Sequence, residues 1–194
     1  MTDVVLAETW LNRFIERARP VYAAAGFPIP DNTRARIGFP STGMRSNRIG
    51  ECWSSVASAD NHFEIYVSPK VVEGEARLAD ILSHELCHAA AAMDHGPVFG
   101  KLARAIGLEG KLTCTTAGAD WFKWAAPILA ELGPMDFGAL NATASPRKKK
   151  ATFLRKVECP DCGWLARVTK SHILPFTHLV CPVPECGGVL ECDL

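Results

Sequence analysis

The chain has 194 residues, enough for one domain of ordinary size with a small appended module, and it can bury a hydrophobic core without disulfide bonds. Lysine and arginine total 21, as do aspartate and glutamate, so the formal net charge is zero, which excludes a globally basic nucleic-acid-binding protein and a long acidic tail. No apolar run approaches the roughly 18 residues of a membrane span, and the N-terminal segment does not resemble a secretory signal, so we expect a cytoplasmic protein with no membrane partner.

Apolar residues at helical spacing predict an N-terminal helix over residues 4–25, which Gly26 and the prolines that follow it end. Three short segments rich in β-branched and aromatic residues come next, separated by turn-forming residues. They predict a small antiparallel sheet with hairpin connections, and they cover residues 34–39, 48–57 and 62–67.

Three further helices are predicted after the sheet. The strongest helical pattern covers residues 74–93, and a second covers residues 97–107, with Pro97 at the first helical position, which proline favours. The third covers residues 120–132 and contains Pro127, which we expect to bend or split it. The mixture of a small sheet with helices predicts an α+β fold.

The C-terminal part of the chain differs in composition from the rest. From residue 145 onward, eight lysines and arginines stand against five aspartates and glutamates, and five of the eight cysteines follow residue 158. We therefore predict a main domain over residues 1–133, a linker over 134–150 and a cysteine module over 151–194. The linker ends in a basic run of candidate nucleic-acid-binding residues, which are Arg147, Lys148, Lys149 and Lys150.

The motif H-E-L-C-H, from His84 to His88, lies inside the strongest predicted helix. Residues four apart lie about 40° apart around a helix and about 6 Å apart along it, so both imidazoles can bind one zinc ion. Glu85 points to the side of this pair, where it can accept a proton from water on the metal without being a ligand. Apolar residues flank the motif, so we expect a buried helix in which these polar side chains need partners.

A catalytic zinc site needs a third protein ligand. His95 is the first candidate, but in a continuous helix it would lie about 10 Å beyond His88, so the helix must break between them. Pro97 favours such a break, because proline disfavours helical geometry at the residue before it. Asp94 is the second candidate ligand and Glu109 the third.

These motifs resemble those of the SprT-like, or Spartan-type, zinc metalloproteases, in which a third histidine lies in an H-G-x-x-F segment, here His95 to Phe99. Residues 49–53 and 63–69 resemble the strands that precede the zinc helix in that family. Residues 107–116 resemble the segment that follows the zinc motif in bacterial and phage members. The resemblance implies a minimal zincin-like fold and hydrolysis of proteins held at DNA, as in removal of DNA–protein crosslinks. The zinc ligands and catalytic base that it implies are His84, His88, His95 and Glu85.

A second motif, Cys159-Pro-Asp-Cys162-Gly, is typical of a zinc knuckle, in which a glycine-containing turn directs two thiolates at one ion. Cys181 and Cys186 supply a second pair, although four residues separate them instead of two. We predict a structural zinc ribbon with these four ligands, and a C-terminal ribbon also occurs in SprT-like proteins. Alternative ligands in this segment are Cys192, His172 and His178.

The sequence therefore favours a metallopeptidase with one catalytic and one structural zinc ion. Two other functions remain open. One is a nucleic-acid or transcription-associated binding module with a structural or weakly active zincin domain, and the other is a zinc hydrolase acting on small amides.

Several residues have no assigned role in this scheme. Tyr66 and His62 are candidates for stabilising an oxyanion, but the sequence cannot orient them. The isolated cysteines are expected to be core thiols, and these are Cys52, Cys87 and Cys114.

Overall fold

The structure is a computed structural model that describes residues 5–71, 74–136, 138, 140, 154–173 and 178–192. The described residues fall into two compact units, divided between residues 144 and 145. The helices are α1 (Ala7–Ala24), α2 (Glu75–Ala90), α3 (Pro97–Ala105), α4 (Ala119–Leu132) and α5 (Lys170–Ile173). The strands are β1 (Val5–Leu6), β2 (Thr33–Ile37), β3 (Gly50–Trp53), β4 (Phe63–Val67), β5 (Leu108–Lys111), β6 (Cys114–Ala117), β7 (Met135–Asp136), β8 (Leu154–Glu158), β9 (Leu165–Thr169) and β10 (Glu191–Cys192).

The four long helices lie where the apolar periodicity places them, and the α+β class is confirmed. The helix α4 runs through Pro127 without a break, because Trp121 and Ala125 hold its other face in the core. The short strands β1 and β7 pair in parallel, which the sequence did not predict. Among the described residues, no helix is both long enough and apolar enough to cross a membrane.

The central sheet has the order β2-β4-β3 and is mixed, not antiparallel. The strands β3 and β4 form the expected hairpin, but β2 runs parallel to β4. The reason is the connection over residues 38–49, which crosses the end of β4. Gly38 donates a hydrogen bond to the Val67 carbonyl (3.0 Å) and Ser68 donates to the Ile49 carbonyl (2.8 Å), so both ends of this connection flank β4. The strand β3 is thereby placed at the edge of the sheet.

The helix α2 packs in the centre of the first unit, and Leu78, Leu82 and Leu86 on it are fully buried. Its buried polar residue Ser83 is fully partnered: its carbonyl accepts from the Tyr22 hydroxyl (2.8 Å), and its hydroxyl accepts from Trp121 Nε1 (2.9 Å). Satisfied buried hydrogen bonds of this kind fix the position of the helix. The residue that follows Ser83 is the first histidine of the zinc motif.

The second unit is a small antiparallel sheet of order β10-β8-β9. Its buried side chains include Val157, Ile173 and two cysteines, Cys159 and Cys181. So small a core is typical of modules that a metal stabilises.

Candidate metal centres

Three histidines meet beside α2. His84 and His88 lie one turn apart on the helix, which ends at Ala90, and the chain reverses before α3 begins at Pro97. This reversal brings His95 to the other two, and the ligand nitrogens of all three lie within 4.8 Å of one another. His84 Nε2 and His95 Nε2 are 3.2 Å apart. Zinc bound at about 2.0–2.1 Å in tetrahedral geometry holds two nitrogens about 3.3 Å apart, so this group fits a zinc ion.

Two of the three imidazole rings make hydrogen bonds through Nδ1, and all three pack against one phenylalanine ring. The Ala92 carbonyl can only accept a hydrogen bond, so His88 Nδ1, 3.0 Å away, is the donor and the His88 Nε2 lone pair is left for a metal. His84 Nδ1 lies 2.7 Å from the Thr115 hydroxyl. The fully buried Phe99 ring packs against all three imidazoles, with ring centroids 4.6 to 5.1 Å apart.

The surroundings favour neutral histidines. Burial, together with the neighbouring imidazoles of His88 and His95, lowers the pKa of His84 to about 3. Burial also lowers the pKa of His88 and of His95, although the Ala92 carbonyl and Asp94 act in the opposite direction. Neutral imidazole is the form that binds metals, so these pKa directions are compatible with a metal site at neutral pH.

Glu85 lies beside this group and is buried, with 6% of its surface exposed. Burial raises the pKa of Glu85 to about 8, while Arg48 and a hydrogen bond from the Cys52 amide lower it. The carboxylate lies against β3 at Gly50, where a Cβ atom would overlap Glu85 Oε1. Gly50 could not be identified from the sequence, because its neighbours in the chain do not show that the Glu85 carboxylate packs against it.

An open cleft of about 640 Å³ contains the three histidines and Glu85. The other residues that line it include Arg48, Gly50, Glu51, Cys52, Arg77, Ile81, Met93, Thr113, Cys114 and Thr115. Cys87 is a buried thiol as predicted, whereas the prediction was wrong for Cys114, which is exposed in the cleft. Cys52 is only partly buried.

Two candidates for stabilising an oxyanion lie elsewhere. The Tyr66 ring packs against Gly38, and His62 Nδ1 lies 3.0 Å from the Asp60 carbonyl. Neither is among the described residues that line the cleft.

The alternative third ligands have other partners. The Asp94 carboxylate accepts a hydrogen bond from the Gly96 amide (3.1 Å) at the start of α3. Glu109 is exposed on β5, where its side chain covers Gly118. Within the described part of the chain, the ligand group at this site consists of the three histidines.

The second unit contains a four-cysteine group. The sulfur atoms of Cys159, Cys162, Cys181 and Cys186 all lie within 4.8 Å of one another, with 3.7 Å between Cys159 and Cys186 and 3.5 Å between Cys162 and Cys181. Zinc–sulfur bonds of about 2.3 Å in tetrahedral geometry separate the sulfurs by about 3.8 Å, so this group also fits zinc. The cysteines are free thiols, and the Cys162 amide donates to the Cys159 sulfur and lowers its pKa.

The alternative ribbon ligands lie outside this group. Cys192 is paired with Val157 through β10, and His172 Nδ1 lies 2.8 Å from the Thr169 hydroxyl. Among the described residues, His178 is not part of the four-cysteine group either. The basic run Arg147, Lys148, Lys149 and Lys150 lies outside the described residues.

A model of the SprT-like family matches residues 29–118. Residues 29–118 are therefore similar to a SprT-like domain. The matched residues include the central sheet, the helices α2 and α3 and the β5–β6 hairpin, and therefore the whole three-histidine site. Searches of curated proteins and of solved structures gave no match. The match to the SprT-like family suggests a metallopeptidase-like domain, and the histidine group within it is a candidate catalytic centre.

Proposed function

We propose that this protein is a zinc-dependent metallopeptidase that hydrolyses protein substrates. In this proposal His84, His88 and His95 bind the catalytic zinc, Glu85 is the catalytic base, and the four clustered cysteines bind a structural zinc. One observation carries the proposal: within a SprT-like domain, three imidazoles converge beside a buried carboxylate in the same open cleft.

Zinc bound to the histidines supplies Lewis acidity toward a peptide carbonyl and toward water. The positive charge of a bound metal would lower the pKa of Glu85 and favour its ionised form. Ionised Glu85 accepts the proton of the attacking water and then donates it to the leaving amine. The Cys52 amide donates to the Glu85 carboxylate, which lies against β3 at Gly50 and lines the cleft.

Arg48 is the residue that we propose stabilises negative charge on the carbonyl oxygen. It lines the cleft, and its guanidinium donates to Glu51. Glu51 in turn accepts from the Ser41 amide (2.6 Å), the Ser41 hydroxyl (2.8 Å) and Trp53 Nε1 (3.1 Å), so it is firmly held. A cation fixed in advance next to the reacting carbonyl is an effective way to stabilise a developing oxyanion.

We further propose that the substrates are proteins held at nucleic acid, with the second unit as the binding module. Lys156 on β8 and Arg167 on β9 are direct cross-strand partners, and both are exposed. Like charges in such a pair destabilise a sheet, although Glu158 forms an ion pair with Lys156. Phosphate groups would relieve the repulsion, and the exposed Leu154 and Leu165 on the same face offer apolar contact.

The test is digestion of an unfolded protein substrate by the full-length protein and by Glu85→Gln. We expect wild type to cleave and Glu85→Gln to lose activity by several orders of magnitude while it keeps its zinc. Equal cleavage by both proteins would show that a contaminating protease was responsible and would refute the proposal.

The second candidate function is a nucleic-acid-binding module without catalysis, which the paired cations of β8 and β9 favour. Under this alternative neither wild type nor Glu85→Gln cleaves protein, and both bind single-stranded DNA with the same affinity. The two assays together therefore separate the functions.

A further inference from the structure

We infer that Thr115 is a positioning residue of the histidine centre: its hydroxyl holds the His84 ring so that Nε2, and not Nδ1, faces the metal. The inference rests on His84 being a zinc ligand, as proposed above. Thr115 lies in β6, well apart in sequence from the zinc motif.

The contact is short and protected from water. Thr115 Oγ1 lies 2.7 Å from His84 Nδ1, and Thr115 is 8% exposed. The other nitrogen of the same ring, His84 Nε2, lies 3.2 Å from His95 Nε2. The two nitrogens of His84 therefore have different partners: one contacts the hydroxyl and the other faces the ligand group.

With a metal on Nε2, this arrangement requires one tautomer of the ring, in which Nδ1 carries the proton and donates it to the threonine hydroxyl. Neutral imidazole carries one proton, and it can bind a metal only through the nitrogen that lacks it. When the threonine hydroxyl accepts from Nδ1–H, the proton stays on Nδ1 and the Nε2 lone pair is left for zinc. Without this acceptor, His84 can place its proton on Nε2, which blocks that lone pair, and the ring can rotate.

His88 obtains the same help from the Ala92 carbonyl, which is part of the backbone and is present whatever side chain occupies that position. The partner of His84 is a side chain, so a substitution can remove it. The role of Thr115 is therefore open to direct test.

The fold holds Thr115 in place through the β5–β6 hairpin. Thr115 pairs with Gly110 across the hairpin. Arg104 on α3 donates to the carbonyls of Leu108 (2.7 Å) and Gly110, which ties the hairpin to the helix that follows His95. The hairpin thus connects α3, the helix that follows His95, with Thr115, the partner of His84.

The chain offers a matched control in Thr116. It has the same side chain and lies one residue further along β6, but it is exposed, because neighbouring strand residues face opposite sides. Thr115→Val removes the hydroxyl and keeps the shape, and Thr115→Ser keeps the hydroxyl. Thr116→Val makes the first change at a position with no hydrogen bond to a histidine among the described residues.

The experiment is a competition between a chromophoric chelator and the zinc-loaded full-length protein. The ribbon zinc serves as an internal reference for folding. We expect Thr115→Val to bind the histidine-site zinc about 10–100-fold more weakly, a usual effect of losing the partner of a ligand. Thr115→Ser should restore the affinity, and Thr116→Val should match wild type. Unchanged affinity in Thr115→Val, or a loss in Thr115→Ser as large as that in Thr115→Val, would overturn the inference.

A second measurement does not depend on the folding of a variant. Nitrogen-15 NMR of the imidazoles in zinc-loaded wild type should show His84 protonated at Nδ1 and metal-bound at Nε2. Binding through Nδ1 would overturn the inference. Neither measurement uses peptidase activity, so a protein that binds zinc in this way but cleaves nothing would refute the proposed function and leave the role of Thr115 intact.

Discussion

The carboxylate of Glu85 lies directly against the backbone of Gly50, with no space for a side chain between them. The contact joins the helix α2 to the edge strand β3 at the candidate base. Glycine is needed at position 50 because the Glu85 carboxylate occupies the space that a side chain would take, and not because of the backbone freedom of glycine.

The first prediction concerns this contact. In Gly50→Ala the new Cβ would overlap Glu85 Oε1 and lie 2.8 Å from Ile81 Cγ2, so the carboxylate must move. A displacement of about 1 Å in a catalytic group can lower the rate by about 100-fold, and we expect that loss in kcat/KM with both zinc ions retained. The control is Gly138→Ala, since Gly138 has open space around its Cα. Full activity in Gly50→Ala would contradict this account of the base.

The second prediction concerns Arg48. Loss of one group that stabilises an oxyanion typically lowers kcat by about 100-fold or more, so Arg48→Ala should lose activity on that scale with little change in KM or zinc content. Glu51→Gln should show a smaller loss, because it weakens the hold on the guanidinium without removing it. Arg45→Ala is the matched control, since Arg45 is exposed on the same connection and does not line the cleft. A change in KM alone would assign Arg48 to substrate binding instead.

The predictable part of the site depends on local sequence. The four-residue spacing of His84 and His88 specifies one helix face, and the residues around Pro97 indicate the break that brings in His95. Gly50 and Thr115 could not be found in this way, because each acts through a contact with α2 that only the tertiary fold creates.

The same distinction explains the sheet. The β-rich segments identified the strands, but the long connection over residues 38–49 is compatible with either a neighbouring or a crossed arrangement. The two-residue strands β1 and β7 are too short to leave a periodic pattern. The exposure of Cys114 likewise could not be predicted, because it depends on how the β5–β6 hairpin packs beside the cleft.

The third prediction is a pH dependence of stability. Hydrogen bonds and charge from Arg34 hold the pKa of Glu64 below its ordinary value of 4.5. A pKa that is lower in the folded than in the unfolded state stabilises the fold above the unfolded value, and this contribution disappears as the pH falls through the folded value. We expect Glu64→Gln to lower the urea midpoint at pH 7, and the difference from wild type to shrink below pH 4.5.

The control for this prediction is Glu16→Gln, which removes the ion pair that the exposed Glu16 makes with Arg19 within α1. Exposed pairs contribute little, so its midpoint should stay close to that of wild type at all pH values. A Glu64→Gln difference that does not vary with pH would show that the charge of Glu64 does not stabilise the fold.

The fourth prediction concerns the second unit. If Lys156 and Arg167 contact phosphates, replacing both with glutamine should weaken binding to single-stranded DNA and reduce the slope of log K against log salt by about 1.4. Lys111→Gln, an exposed lysine of the SprT-like domain, is the control and should leave the slope unchanged. An unchanged slope in the double variant would exclude this face as the nucleic-acid contact.

The most direct test of the central claim is the zinc content per chain, measured by elemental analysis of purified wild type and of His84→Ala. The account predicts two zinc ions in wild type and one in His84→Ala, with the remaining ion held by the four cysteines. A wild-type protein with a single zinc that His84→Ala retains would contradict it, because the three histidines would then not form a metal centre.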